Sequence, residues 1–244
     1  QEGMTVLDVL MYIREKYDST LAFTYECRYG YCGSCTVEVN KRPSLACRTL
    51  ASKEMLIEPL SNLPVVRDLV VDRIALRERL IKIRPFLERQ KPPEKEPEEL
   101  VPDNFSTFRV VSRCISCLSC VSKCPTFTEA KHLYASPFIM AEIGRFAFDP
   151  RDGGDRLMTA YQDGLFNCAM CNKCLEVCPY EIDLPNLVIA PMRRRVIERG
   201  IGPASKVKEL KSLIEKSCKA FIKPLRHATF LETHSSKVEA ETPK

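Results

Sequence analysis

Two cysteine runs in the second half of the chain leave it few ways to fold. One reads Cys114-Ile115-Ser116-Cys117-Leu118-Ser119-Cys120-Val121-Ser122-Lys123-Cys124-Pro125, the other Cys168-Ala169-Met170-Cys171-Asn172-Lys173-Cys174-Leu175-Glu176-Val177-Cys178-Pro179. Both follow C-x2-C-x2-C-x3-C-P, a spacing that ligates cubane iron–sulfur clusters. Three cysteines at steps of three are expected along a tight, nearly helical turn, with their thiolates converging on three irons of one cube. The fourth, followed by proline, points away and in two-cluster proteins serves the other cube. The expected sets are Cys114, Cys117, Cys120 and Cys178 for one [4Fe–4S] cluster. Cys168, Cys171, Cys174 and Cys124 form the other set.

A third group lies upstream: Cys27, Cys32, Cys35 and a distant Cys47. This is the C-x4-C-x2-C…C pattern of a plant-type [2Fe–2S] site. Gly30 and Gly33 fall inside the loop. A loop around a small cluster needs unusual backbone angles and close N–H approach to sulfur, which glycine permits. Both are candidate cofactor-binding residues.

Twelve of the 13 cysteines thus fall into three groups of four, leaving Cys218, for which a buried free thiol is expected. A disulfide framework would suit a shorter secreted chain with an even count. Zinc sites come as pairs of cysteines or with histidine. There are only three histidines, His132, His227 and His234, and none is paired in sequence with a cysteine or carboxylate as a ligand would be.

The formal charge is +5 with every cysteine counted neutral. Four thiolates on an oxidised core leave about −2 per site, so three sites bring the loaded chain to about −1. The basic balance therefore reads as compensation for clusters, and no aromatic-interleaved basic patch argues for nucleic acid. No apolar run approaches the roughly 18 residues that span a bilayer, and the start carries no apolar signal region. The chain is expected not to cross a membrane itself.

Hydrophobic spacing predicts a helix over 5–16, capped by Thr5 with Asp8, carrying Val6, Leu10 and Ile13 inward. Alternation predicts strands over 36–39 and 55–58, with a turn over 40–43. Part of 70–87 is expected to be helical. Proline and charge over 91–99 read as a stiff, solvated connector. Later helices are expected over 136–147, 155–161, 185–199 (closed by Gly200) and 204–221, followed by a flexible tail. Arg193, Arg194 and Arg195 read as a solvated helix end. The fold class is α+β: an N-terminal plant-type [2Fe–2S] ferredoxin (β-grasp) domain over 1–85, a linker over 86–103, an all-helical two-cluster bacterial-type ferredoxin domain over 104–224, and a tail over 225–244.

One plant-type motif followed by two bacterial-type motifs, with Cys-Arg-x-Gly-x-Cys-Gly-Ser-Cys at 27–35 and Leu45-Ala46-Cys47, resembles the iron–sulfur subunit of succinate dehydrogenase and fumarate reductase. The resemblance implies an electron-transfer subunit of an oxidoreductase complex, with no catalytic residue of its own. Single electrons would pass between an FAD-containing flavoprotein subunit, which holds the only FAD, and a membrane-side partner. It implies a peripheral place on the cytoplasmic face of the membrane, with a soluble cytoplasmic complex as the alternative. Most members lack a cysteine at the second position of the last motif and hold a [3Fe–4S] cluster there. Cys171 completes four thiolates in this chain and favours [4Fe–4S]. The usual family also places tryptophan after the first Cys-Pro and histidine after the first cysteine of the last motif, both in a quinone pocket. This chain has Thr126-Phe127-Thr128 and Ala169 at those places and no tryptophan at all. These departures raise an alternative: a thiol/disulfide-linked reductase whose partner is a cysteine-rich subunit rather than a membrane anchor.

Overall fold

The computed structural model describes residues 3–93, 95, 98 and 105–201. The expected helix over 204–221, Cys218, His227, His234 and the tail lie outside the described residues.

The first half builds a small α+β layer. Helix α1 (Val6–Lys16) starts where its sequence says it should. Thr5 Oγ1 accepts from the Asp8 amide at 3.2 Å, and the Thr5 amide donates to Asp8 Oδ2 at 2.8 Å. This capping box satisfies two otherwise orphaned donors. The helix buries Val6, Leu7 and Leu10, each contributing roughly 1.5–3 kcal/mol.

Strands β1 (Thr36–Val39) and β2 (Arg42–Leu45) form an antiparallel hairpin with Val39 opposite Arg42. The turn is tighter than the expected 40–43. Asn40 and Lys41 alone make it, both left-handed at φ 49° and 65°, and such a two-residue loop matches the twist of the strands. Pro43 therefore sits inside β2, which it can do because β2 lies at the sheet edge in the order β2-β1-β3. Strand β3 is only Ile57–Glu58, shorter than expected. A separate pair, β4 (Val65–Arg67) and β5 (Val70–Val71), leads into helix α2 (Ile74–Lys82).

The second half is helical, opening with three short helices, α3 (Ser106–Val111), α4 (Ser119–Ser122) and α5 (Pro125–Glu129). Its centre is α6 (Pro137–Ala147), begun by Ser136, whose hydroxyl accepts from the Ile139 amide at 3.2 Å, and buried along nearly its whole length. Helix α7 (Arg156–Gln162) is capped by Asp155. The last described helix opens as a π turn over Pro185–Ile189 and continues as Ala190–Glu198. Gly144 of α6 meets this turn so closely that a Cβ would lie 2.5 Å from Val188 Cγ1.

The two halves are not beads on a string. Residues 1–199 form one compact unit, and the core of the first half includes Cys117 from the second. Glu38, 1% exposed, receives the Lys123 ammonium at 3.1 Å and the Ser61 amide at 2.9 Å. Asn62 donates to the carbonyls of Val121 and Ser122. The start of the expected linker is also tied down. The Glu88 amide donates to Asp152 at 2.9 Å, and the Gly153 amide donates back to the Glu88 carbonyl at 2.8 Å.

Arg156 is the pin of that join. It is 4% exposed and donates to the carbonyls of Ile83, Arg84 and Phe86, each at 2.8 Å, and to both carboxylate oxygens of Asp152 at 2.9 Å. Burial works against the Asp152 charge, but Arg156 and the Glu88 and Gly154 amides outweigh it and hold its pKa below the ordinary value. Removing the cation would strip the buried Asp152 carboxylate of its counter-charge, leaving it the Glu88 and Gly154 amides, and would take a donor from the carbonyls of Ile83, Arg84 and Phe86. Arg156→Ala is therefore expected to lower stability by about 3–5 kcal/mol, and Arg156→Lys to recover only part of it, because an ammonium lacks the planar fork. Thermal unfolding midpoints of the three proteins check this; equal midpoints for wild type and alanine would refute it.

Candidate iron–sulfur centres

Cys27, Cys32 and Cys35 lie on the loop between α1 and β1, and Cys47 follows β2. Arg28, Gly30 and Gly33 all have positive φ (60°, 84° and 69°), so the chain curls around its own sulfurs. The amides of Tyr29 and Tyr31 reach Cys27 Sγ at 3.4 and 3.3 Å. The Tyr29 amide, with smaller help from Cys32 and the Tyr31 amide, lowers the Cys27 thiol to about 7. Cys35 is paired with Cys47 and pushed up to about 12 by burial. Cys32 acts on Cys27, and Cys47 and Cys32 act on Cys35, so the four thiols lie within electrostatic reach of one another.

Gly33 has a second task. A Cβ there would lie 2.6 Å from the Ile115 carbonyl oxygen and 2.8 Å from Cys117 Cα. These are backbone neighbours that cannot step aside, so only glycine lets this loop rest on the first cubane motif. Gly30 is less demanding in space, since its neighbour is the flexible Arg48 side chain. Its carbonyl accepts from the Tyr180 hydroxyl at 3.2 Å, a further tie between the loop and the second half. Burial pushes Arg73 down, but Cys117, Cys32 and Glu26 around it work to keep it charged.

The two later motifs share one backbone plan. Their third residues, Ser116 and Met170, have φ 53° and 54°; their fifth residues, Leu118 and Asn172, have φ 64° and 61°. Each fifth residue begins a single helical turn, α4 (Ser119–Ser122) and α8 (Lys173–Glu176), which pack together. This corrects the expectation of a nearly helical turn through all three cysteines. A right-handed turn would keep its amides in its own ladder, whereas left-handed residues swing the chain around a cavity and free its amides. Such φ values in non-glycine residues cost of the order of 1–3 kcal/mol each and persist where surroundings impose them.

Each motif meets the other across a cavity. One, of about 30 Å³, is lined by Cys114, Cys117, Cys120, Cys174 and Cys178. The other, about 20 Å³, is lined by Cys124, Cys168, Cys171 and Cys174. Cys174 touches both. Burial pushes Cys114 and Cys174 up to about 12, and raises Cys117, Cys120 and Cys124 as well. Around these sulfurs the remaining wall is largely apolar, with Phe138, Ala141 and Leu184 in the first cavity. In the second, Tyr134 is buried beside the thiols, and burial raises its hydroxyl pKa well above the ordinary value. Among the described residues no three His, Cys, Asp or Glu side chains gather around a single-ion site.

These residues fit iron–sulfur cores. The donors are soft thiols, at least four lining each cavity, and buried thiols this hard to ionise need a cationic core to become thiolates. The wall supplies amide and hydroxyl donors toward sulfur and keeps water out.

The arginine run also departs from its expected solvated role. Arg193 donates to the carbonyls of Leu165 (2.9 Å) and Cys168 (2.6 Å) and lies over Phe166, fixing the entry to the last motif. Arg195 bonds the Ala147 carbonyl. Only Arg194 of the three is without such a contact among those described, and it is exposed. His132 and Ala169 are exposed, and Phe127 is buried in the place after the first Cys-Pro. Cys171 is the one exposed cysteine among the twelve described.

Fold and thiols together define a ferredoxin-type iron–sulfur protein. Residues 1–78 match the 2Fe-2S iron-sulfur cluster binding domain, and 110–182 match the 4Fe-4S dicluster domain. The iron-sulfur subunit of 8-methylmenaquinol:fumarate reductase from Wolinella succinogenes is 36% identical, over 83% of this chain and 68% of that one. The fumarate reductase iron-sulfur subunit of Mycobacterium tuberculosis is 35% identical, over 73% and 75%. A chain of the Mycobacterium smegmatis Sdh1 complex superposes with a TM-score of 0.74 at 29% identity, over 83% and 88%. The chain belongs to the family of succinate dehydrogenase and fumarate reductase iron–sulfur subunits. It spans about half the length of other curated relatives it matches, at 40–49% of theirs.

Gly33→Ala is expected to disturb both the loop and its seat on Cys117. The integrated [2Fe–2S] EPR signal of the reduced protein should fall well below that of wild type, with a stability loss of about 1–3 kcal/mol from the backbone conformation alone. A wild-type signal would show that the close approach does not matter.

Proposed function

We propose that this chain is the electron-transfer subunit of a succinate dehydrogenase/fumarate reductase-type complex. It relays single electrons between an FAD-containing flavoprotein subunit and a membrane-side acceptor or donor. One observation carries the reading: three thiol sites lie in contact in a fixed order. The 27–35 loop rests on Cys117 through Gly33, and Cys174 borders both later cavities.

In this reading Cys27, Cys32, Cys35 and Cys47 hold a [2Fe–2S] cluster. Cys114, Cys117, Cys120 and Cys178 hold the first cubane. Cys124, Cys168, Cys171 and Cys174 hold the second, with four thiolates favouring [4Fe–4S] over [3Fe–4S]. Iron–sulfur clusters, when bound, supply one-electron chemistry without proton bookkeeping. The protein's own part is placement. Gly33 allows close approach, the apolar walls exclude water, and donors to sulfur set the electrostatics.

The two ends suit two partners. Tyr29 and Tyr31 stand out from the first loop at 75% and 71% exposure, a surface suited to the flavoprotein. At the other end Ala169, Cys171, Asn172 and Lys173 are exposed, so the second cubane edge faces outward to the next carrier. Among the described residues no helix is long and apolar enough to cross a membrane. The proposed place is therefore peripheral, on the cytoplasmic face, held by a membrane anchor; a soluble complex remains the alternative. A thiol/disulfide-linked reductase with a cysteine-rich partner is the weaker reading, because the relatives that this chain spans by two thirds or more are fumarate reductase subunits.

The test is the complex purified anaerobically. Succinate should bleach its visible iron–sulfur absorption, and fumarate should restore it. No FAD-containing partner and no succinate-dependent bleaching would overturn the proposal.

A further inference from the structure

Ser119 is a buried hydroxyl that neither capping nor packing explains. It is 2% exposed, and its Oγ lies 3.4 Å from Cys117 Sγ. The Ser119 carbonyl is used elsewhere, accepting from the Ser122 hydroxyl at 3.0 Å. A buried hydroxyl left without a partner is costly, so this one has reason to stay on the sulfur.

Which atom donates depends on the state of Cys117. A free thiol can donate to the hydroxyl. A metal-bound thiolate has no proton, so the hydroxyl must donate to it. Donation to a cluster sulfur withdraws electron density from the iron and stabilises the added negative charge of the reduced state. The surroundings amplify this, because Ser119 and Cys117 are both shut away from water.

The corresponding position of the other motif is built differently. Lys173 stands there, and its ammonium bonds Glu176 at 3.0 Å. Cys171, the counterpart of Cys117, is exposed. The two cubane motifs share a backbone plan but not this donor.

We infer that Ser119 is a positioning residue that raises the reduction potential of the first cubane by donating its hydroxyl hydrogen to the Cys117 thiolate. The inference rests on the proposed ligation of that cubane by Cys114, Cys117, Cys120 and Cys178. Ser119 also lines the groove between this cavity and the 27–35 loop, next to Gly30 and Tyr180. Its hydroxyl thus acts on the centre that receives electrons from, or returns them to, the [2Fe–2S] side.

The experiment is an EPR-monitored redox titration of the holoprotein in its complex, wild type against Ser119→Ala and Ser119→Thr. The alanine variant should shift the first cubane midpoint to more negative potential and leave the [2Fe–2S] and second cubane midpoints in place. Threonine, which keeps the hydroxyl, should restore the wild-type value. An unchanged first midpoint in a fully loaded alanine variant would overturn the inference. If alanine fails to load that cubane, Ser119→Cys decides, because a thiol is a poorer donor of similar size: a lowered midpoint supports the inference and a wild-type midpoint overturns it. The wild-type spectrum tests the ligation separately, since absence of a first-cubane signal there would count against the ligand set and not against Ser119.

Discussion

Gathering thiols inside a protein works against their ionisation, and that constraint shapes the whole molecule. Burial pushes Cys35, Cys114 and Cys174 up to about 12. Thiols this reluctant become thiolates only beside concentrated positive charge or strong donors. The chain meets the demand by bending around them. Positive φ values at Arg28, Gly30, Gly33, Ser116, Leu118, Met170 and Asn172 cluster in the three cysteine segments. Left-handed backbone also occurs elsewhere, as at Asn40 and Lys41, but in the cysteine segments it is what bends the chain around its sulfurs. A metal core bonded to those sulfurs is the interaction that would repay it, and metal binding and folding would then be coupled.

The same economy explains why the two halves are fused rather than tethered. Cys117 belongs at once to a cubane motif and to the core beneath the first loop. Gly33, Tyr180, Glu38 with Lys123, and Asn62 each cross the join. Arg156 and Asp152 bind the connecting segment to the helical half. A relay of electrons needs its centres held at fixed separation, and these contacts hold the protein parts that carry them. Tyr29 and Tyr31 on the first loop and Cys171 in the last motif are exposed.

Much of this was legible in the residues. Cysteine spacing marked the three thiol groups, because metal geometry tolerates few spacings. Thr5 with Asp8, Ser136 with Pro137, and Asp155 announced helix starts through local hydrogen bonds, which local sequence controls. What escaped was long-range. Nothing near Arg193 says that it will meet the Cys168 carbonyl, and nothing near Glu88 says that it will bond Asp152. The left-handed turns at Ser116 and Met170 also escaped, because those residue types do not advertise positive φ; Asn172 was the one hint. Gly33 was expected to be needed for its backbone freedom, and its φ is 69°, but its closest contacts come from Ile115 and Cys117, far along the chain.

The central claim is that the two cysteine runs exchange their last ligands, so that each cavity is completed by the other motif. Substituting Cys178 by alanine tests it directly, with EPR and Mössbauer spectra of the purified complex as the readout. The exchanged arrangement requires loss or conversion of the cubane held by Cys114, Cys117 and Cys120, while the cubane held by Cys168, Cys171 and Cys174 keeps its wild-type spectrum. Loss of the second cubane with the first intact would contradict it.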